Sequence, residues 1–206
     1  TEVRRPPPAF HARFHAVRKT YHYYLDTRET MDPFTRRHAL AVGWRPPDMD
    51  RLRAAAKIFV GTHDFSAFAN KSRDKTVVRD PVRTVYRFDV IDTGELVRLE
   101  VEGSGFLYRG VRNMVGGMLM AATSKKFGPE DLQAVLEGKD RRSAPTGAPA
   151  HGLFLHEVVY PEDLLSWEPP PEDGEDEEDS ERDYSEVTSE DERDEPKLVV
   201  EKIIGN

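Results

Sequence analysis

Residues 103–117, GSGFLYRGVRNMVGG, combine a glycine-rich turn with the beginning of an apolar helix. Apolar side chains recur there at the spacing of one helix face, at Leu107, Val111, Met114, Val115 and Met118. Arg109 and Arg112 lie near the helix start, where the helix dipole favours acidic groups instead. Two interpretations are open: a buried helix with solvated arginines, or a helix that presents a guanidinium to an anion.

The segments around this stretch predict an α+β fold. Upstream, strands are expected over 82–91 and 95–101, joined as a hairpin across Asp92-Thr93-Gly94. Downstream, Pro129 at a first helical position predicts a helix that ends at Gly138, and a last strand follows over 152–160. This order predicts a largely antiparallel sheet with helices on one face.

The N-terminal part adds a strand and a helix. Residues 1–9 contain three prolines and are predicted to be a linker. Aromatic residues with a period of two predict a strand over 11–27. An amphipathic helix follows the N-cap Asp48 and is expected to be closed by Gly61, with a loop over 61–72. His11, His15 and His22 are interpreted as structural, since no cysteine or carboxylate cluster accompanies them.

Charge divides the sequence into a body and a tail. The chain has 30 basic and 38 acidic residues, but 169–206 alone holds 16 acidic and 4 basic ones. The body, 10–168, is therefore expected to be one mildly basic domain that suits an anionic partner. Residues 169–196 are predicted to be a disordered acidic tail, and 197–206 a short apolar segment of unknown role.

Composition excludes several classes of protein. The sequence has no cysteine, which excludes disulfides and thiolate metal sites. It also has no run of 18 apolar residues, so no membrane span is predicted. The segment 74–80 is charged and expected to be mobile. The sequence begins with Thr1, which favours a piece of a longer protein from which any targeting signal is missing. We expect an intracellular protein of undetermined compartment.

Five separated motifs resemble the TruA-type tRNA pseudouridine synthases. In order along 10–161 they are FHARFHAVRKTYHYYL, GTHDFSAF, DPVRTVYRFDV, GSGFLYRGVRNMVGGML and APAHGLFLHEVVYP. The resemblance implies a pseudouridine-synthase sheet, a homodimer and action on the anticodon stem-loop of tRNA, with no metal and no organic cofactor. Members of that family carry their essential aspartate in an upstream Gly-Arg-Thr-Asp-Ala-Gly loop that is absent from this sequence. The sequence is therefore expected to be the C-terminal half of such an enzyme, inactive alone.

The resemblance also implies two catalytic residues. Arg112 corresponds to the arginine that keeps the family aspartate ionised, a role that suits a permanently charged planar fork. Tyr21 corresponds to the active-site tyrosine, whose ring can stack on an extruded uracil and whose hydroxyl can help to move the C5 proton. A buried structural tyrosine is the alternative for Tyr21. Asp26, Asp64 and Asp80 lie outside the aspartate motif, and none is assigned its role.

Further residues are candidates for substrate binding. Leu153 and Leu155 are expected to wall the base pocket, although core packing would explain them equally well. The candidate phosphate contacts are Arg13, Arg18, Lys19, Arg83, Arg109, Arg141 and Arg142, each of which is alternatively a solvated charge. Two other functions stay open: a non-catalytic RNA-binding module of the same fold, and a half-enzyme that folds only with its missing segment.

Overall fold

A computed structural model describes residues 6–70 and 80–165 of the chain. The strands are β1 (Arg18–Asp26), β2 (Leu40–Ala41), β3 (Gly61–Asp64), β4 (Val82–Asp92), β5 (Leu96–Gly103) and β6 (Leu153–Val159). The helices are α1 (Met49–Ile58), α2 (Gly110–Thr123), α3 (Pro129–Gly138) and the short α4 (Glu162–Leu165). Two turns of 3₁₀ helix cover Ser66–Phe68 and Ala150–Gly152.

The strands form one mixed sheet that is mostly antiparallel. Its order is β2-β1-β5-β4-β3, and β6 pairs with β1 outside this path. All pairings are antiparallel except that of β2, which joins the end of β1 in parallel through two residue pairs. The predicted α+β fold is therefore confirmed.

The two faces of the sheet differ in what covers them. We call the face that carries Tyr23, Leu25 and Leu99 the inner face; these residues share one core cluster with α1, α2 and α3. The outer face carries the alternate residues, among them His22 and Glu100, and long charged side chains lie across it. Among the described residues, no helix is long and apolar enough to cross a membrane.

Several sequence predictions are confirmed element by element. The β4–β5 hairpin turns where predicted, and its register pairs Asp92 with Val97. Asp48 caps α1, since its carboxylate accepts hydrogen bonds from the N–H groups of Asp50 and Arg51, both at 3.0 Å. Helix α3 has the predicted bounds, with Pro129 as its first residue.

The N-terminal strand is shorter than predicted. Strand β1 begins at Arg18 instead of His11, because 11–17 folds into turns. The His11 ring nitrogen Nδ1 accepts hydrogen bonds from the N–H groups of Arg13 and Phe14, and the N–H of His15 donates to the carbonyl of His11. These local bonds use backbone groups that a sheet ladder would need.

The region after α1 also differs from the prediction. The helix ends at Ile58, and Gly61, with φ of 114°, opens strand β3 where a loop was expected. Four residues with no apolar alternation carry no strand signal, and pairing with β4 fixes them. The predictions for 1–5, 74–79, the acidic tail 169–196 and the segment 197–206 lie outside the described residues, as do 166–168 of the body.

Candidate active site

The chain enters α2 through a strained residue. Arg109 occupies the N-cap position in a left-handed conformation, with φ of 59°, which is uncommon for any residue other than glycine. Its guanidinium carbon lies 5.4 Å from the centre of the Tyr108 ring. The first turn of α2 contains no acidic residue, so the partial positive charge of the helix start is not compensated from within the helix.

Arg112, the third residue of α2, is held by a reciprocal clamp. Its Nε donates a hydrogen bond to the carbonyl oxygen of Ala148 at 2.8 Å, and the N–H of Ala148 donates to the carbonyl of Arg112, also at 2.8 Å. The described hydrogen bonds of this side chain use Nε and leave its two Nη groups available. Such an arrangement presents a planar fork that suits a carboxylate or a phosphate.

Tyr23 connects this clamp to the sheet. Its hydroxyl donates a hydrogen bond to the Pro149 carbonyl at 2.8 Å, next to the clamped Ala148. Burial raises the pKa of the Tyr23 hydroxyl, and the nearby charge of Arg112 lowers it by less. Tyr23 is therefore neutral at physiological pH and anchors the 148–149 backbone to β1.

Tyr21 lies two residues before Tyr23 and thus on the same inner face of β1. Its ring meets that of Phe106 edge to face, with centroids 5.4 Å apart. In the neighbouring strand β6, Leu155 pairs with Tyr21 and Leu153 pairs with Tyr23. Leu153 packs against the core cluster, whereas Leu155 also borders a cavity on the outer face. The fold thus brings Tyr21, Arg112 and Leu153 to one side of the sheet.

The candidate phosphate contacts are spread more widely. Arg18 lies on the outer face, 3.5 Å from Glu102, and Lys19 Nζ is 3.5 Å from the carbonyl of Arg13 in the exposed turn before β1. Arg83 donates to the carbonyl of Asp80 at 2.8 Å. Arg141 and Arg142 follow α3; Arg142 pairs with Asp140 at 2.9 Å. Of this set, Arg109 is the nearest in sequence to the clamped Arg112, as the N-cap of the same helix.

A buried amide network behind Arg112 was not foreseen from the sequence. Asn113, 2% exposed, donates from Nδ2 to the carbonyl of Phe68 at 2.7 Å and to Asn70 Oδ1 at 3.0 Å. Arg141 donates to both asparagine side chains, at 3.3 Å to Asn70 and 3.4 Å to Asn113. This network ties α2 to two loops, so Arg141 has a structural role. An amide in an otherwise apolar helix was the available signal.

Glycines let the 144–149 segment approach α2 closely. A Cβ on Gly116 would collide with the carbonyl oxygen of Thr146, and one on Gly147 would collide with Asn113. Gly117 instead makes room for Leu132 of α3. Gly116 and Gly147 thus permit the contact that places Ala148 against Arg112.

The aspartates set aside in the sequence are occupied elsewhere. Asp26 is fully buried and bound by Arg28, which lowers its carboxyl pKa to about 2. Asp64 accepts from the Ser66 hydroxyl at 2.6 Å, which lowers the pKa of Asp64. Asp80 accepts from the N–H of Val82. None of the three bonds to Arg112. No cluster of metal-ligating side chains occurs within 6–70 and 80–165.

Comparisons with known proteins identify the family. The model of the family described as tRNA pseudouridine synthase matches residues 55–161, which include Arg112, Leu153 and Leu155 and begin after Tyr21. The chain is 45% identical over 156 residues to tRNA pseudouridine synthase A 1 of Protochlamydia amoebophila, covering 74% of this chain and 59% of that relative.

Other relatives give the same result. Identity is 42% over 151 residues to tRNA pseudouridine synthase A of Bacillus subtilis, covering 73% of this chain and 59% of the relative. It is 40% over 162 residues to tRNA pseudouridine synthase A of Thermotoga maritima, covering 77% and 63%. The chain therefore spans about three fifths of the length of these relatives. From the family match, the chain belongs to the tRNA pseudouridine synthases.

Proposed function

We propose that this chain is the part of a tRNA pseudouridine synthase that supplies Tyr21 and Arg112 to the active site. The observation that supports this most directly is the clamp on Arg112, which fixes Nε and leaves both Nη groups available. We further propose that the catalytic aspartate comes from a segment outside these 206 residues, since Asp26, Asp64 and Asp80 are engaged away from Arg112.

The proposed reaction isomerises a uridine of the anticodon stem-loop. The N1–C1′ glycosidic bond breaks, the uracil turns, and a C5–C1′ bond forms; C5 loses a proton and N1 gains one, so atoms and charge balance. The clamped guanidinium of Arg112 would keep the aspartate ionised in a pocket poor in water. The aspartate acts as nucleophile or as base at the sugar.

The remaining inner-face residues have supporting roles in this proposal. The ring of Tyr21, held edge to face by Phe106, would stack on the extruded uracil, and its hydroxyl would assist proton transfer at C5. Leu153 and Leu155 would form one wall of the base pocket and exclude water from it. Arg109 would contact a flanking phosphate beside the helix start.

The proposal needs neither a metal ion nor an organic cofactor, and its partners are tRNA and a second copy of the chain. Arg13, Arg18, Lys19, Arg83 and Arg142 remain proposed phosphate contacts. Light scattering tests the homodimer: we expect twice the chain mass for the complete enzyme, and a single-chain mass would contradict it.

Mapping pseudouridine in an unmodified tRNA transcript by carbodiimide adducts tests the activity. We expect no product from these 206 residues and product from a chain extended upstream by a Gly-Arg-Thr-Asp-Ala-Gly segment. Changing that aspartate to asparagine should abolish the product without loss of solubility. Product from the bare chain would make one of its own aspartates catalytic. Salt-dependent tRNA binding without product from the extended chain would favour a non-catalytic RNA-binding module.

A further inference from the structure

The outer face carries a cavity that the active site does not use. It has a volume of about 330 Å³ and lies where β1 and β6 meet the loop between β1 and β2. The side chains that matter here are those of His22, Tyr24, Thr35, His38, Phe154 and His156. We call it the outer-face cavity, because Tyr21 and Arg112 lie on the opposite side of the sheet.

Aromatic rings dominate its walls. The rings of His22 and His156 are stacked, with centroids 3.9 Å apart and planes 19° from parallel. Phe154 contacts Tyr24 at 5.6 Å and His38 at 5.9 Å. Two of these rings, His38 and His156, are exposed. Exposed aromatic rings suit a flat aromatic ligand, which can stack on them. The cavity volume lies at the lower end of the range for small-ligand pockets.

Two carboxylates near the cavity are already paired with arginines. Glu100, behind His22, is paired with Arg87 and Arg98. Asp26, at the end of β1, is bound through both its oxygens by Arg28, at 2.9 and 2.7 Å. Burial lowers the pKa of His22 to about 4, so this ring is neutral at physiological pH.

The same buried ion pair fixes the loop that closes the cavity. Thr35 donates a hydrogen bond to Asp26 at 3.0 Å and accepts one from Arg28 at 3.0 Å. Arg36 and Arg37 come directly after Thr35 and just before His38, and both are exposed. Within the described residues neither makes an ion pair. The loop therefore holds two available guanidinium groups between two residues that line the cavity.

We propose that the outer-face cavity holds one unstacked nucleobase of the bound RNA while Arg36 and Arg37 contact the phosphates beside it. The inference rests on the proposed function, because it takes tRNA as the ligand. Single-stranded RNA is recognised by stacking of splayed bases on aromatic rings together with cationic contacts to the backbone. An apolar side chain of another protein would contact the rings but would not use the adjacent Arg36 and Arg37.

Photo-crosslinking of the 206-residue chain to a tRNA transcript that contains 4-thiouridine tests the position directly. We expect crosslinks in the β6 peptide that contains Phe154 and His156, besides those at Phe106 on the inner face. Crosslinks at Phe106 without any in β6 would overturn the inference and leave the proposed function intact. Absence of all tRNA binding would instead contradict the proposed function itself, and the inference with it.

Binding of variants separates the two parts of the site. Arg36→Ala/Arg37→Ala should weaken tRNA binding about tenfold at low salt and reduce the slope against log salt by about 1.5. Phe154→Leu, which keeps an apolar side chain but removes the ring, should weaken it about fivefold. The matched control Arg53→Ala/Lys57→Ala on α1 removes the same charge and should change affinity less than about twofold. Equal losses in both double variants would overturn the inference.

Light scattering of the same variants tests a second copy of the chain as the occupant. If Phe154→Leu lowers the molecular mass in solution while tRNA affinity is unchanged, the outer face is a self-association surface and the inference is wrong. An unchanged mass together with weakened tRNA binding supports the nucleobase site.

Discussion

The two faces of strand β1 are equally buried but are stabilised by different forces. On the inner face Tyr23 and Leu25 are 1% and 0% exposed and pack into the core cluster. On the outer face Thr20, His22 and Asp26 are 1%, 5% and 0% exposed. His22 lies against Glu100, which pairs with Arg87 and Arg98, and Asp26 is bound by Arg28. Burial alone therefore does not indicate a hydrophobic core.

The ionic cover of the outer face is imperfectly bonded. His22 Nε2 lies 3.2 Å from Glu100 Oε2 without the geometry of a hydrogen bond, so the contact is electrostatic. The buried Thr20 hydroxyl has no hydrogen-bond partner among the described residues. Unpaired buried polar groups are costly. We expect the inner face to be insensitive to pH and the outer face to respond to it.

The largest expected effect comes from neighbours on opposite faces of β5. Leu99→Ala should lower the free energy of unfolding by about 3 kcal/mol, because it opens a cavity in the inner core. Glu100→Gln should lower it by about 1 kcal/mol at low salt, and by less at high salt, since it weakens an ionic contact. Urea unfolding at two salt concentrations measures both. A salt-dependent loss for Leu99→Ala would contradict the distinction between the faces.

Substitution of Asp26 tests how much the buried ion pair of the outer face stabilises the fold. Its pKa falls from 3.8 to about 2 in the folded chain, mainly through the hydrogen bonds from Arg28. The carboxylate therefore stabilises the fold above pH 3.8, and this contribution disappears as pH falls through 2. Asp26→Asn should cost about 2 kcal/mol at pH 7 and nothing at pH below 2.

The matched control for Asp26 is Asp50→Asn on the surface of α1. The Asp50 side chain is 97% exposed and pairs with Arg53. Its loss should change the free energy of unfolding by less than about 0.5 kcal/mol. Urea unfolding at pH 7 measures the loss of stability in both variants. Similar losses would mean that the Asp26 pair adds nothing to stability.

The His22 ring should make the stability of the fold depend on pH in a second, separate range. Burial, followed by the charge of His156, lowers the His22 pKa from 6.5 to about 4 despite the opposing effect of Glu100. The unfolded chain therefore binds the proton more readily, so stability decreases as pH falls from 6.5 towards 4. The loss should be on the order of 1 kcal/mol by pH 5. His22→Gln should flatten this part of the stability curve; an unchanged slope would contradict the assignment.

The smallest expected effect concerns the acidic residues 169–206. We expect their 16 acidic and 4 basic side chains to compete with phosphate for basic surface of the body. Deleting them should tighten non-specific RNA binding about threefold at low salt and hardly at all at high salt. Superimposable binding curves of the two chains at low ionic strength would rule out this competition.

Local sequence signals were sufficient for the elements that they determine. The cap at Asp48, the turn at 92–94 and the helical spacing in α2 gave α1, the hairpin and the arginine-bearing helix. Strand β3 was missed because Gly61–Asp64 has no alternation and depends on β4 for its conformation. The strand predicted from 11 was too long because His11 binds nearby backbone groups.

The site was accessible to sequence reasoning only in part. Arg112 was predicted as a site residue from its motif, but its clamp joins it to Ala148, 36 residues away. The stacking of His22 on His156 likewise follows from the pairing of β1 with β6. Contacts of this range are set by tertiary packing, and no local pattern encodes them.

Arg112 is proposed to act in catalysis from the inner face of the sheet. The measurement is the turnover and the tRNA affinity of Arg112→Lys in a chain extended by the Gly-Arg-Thr-Asp-Ala-Gly segment. Lysine keeps the charge but loses the planar fork. We predict that turnover falls about 100-fold while the dissociation constant changes less than about twofold. Equal losses of turnover and affinity would make Arg112 a phosphate contact and contradict the account.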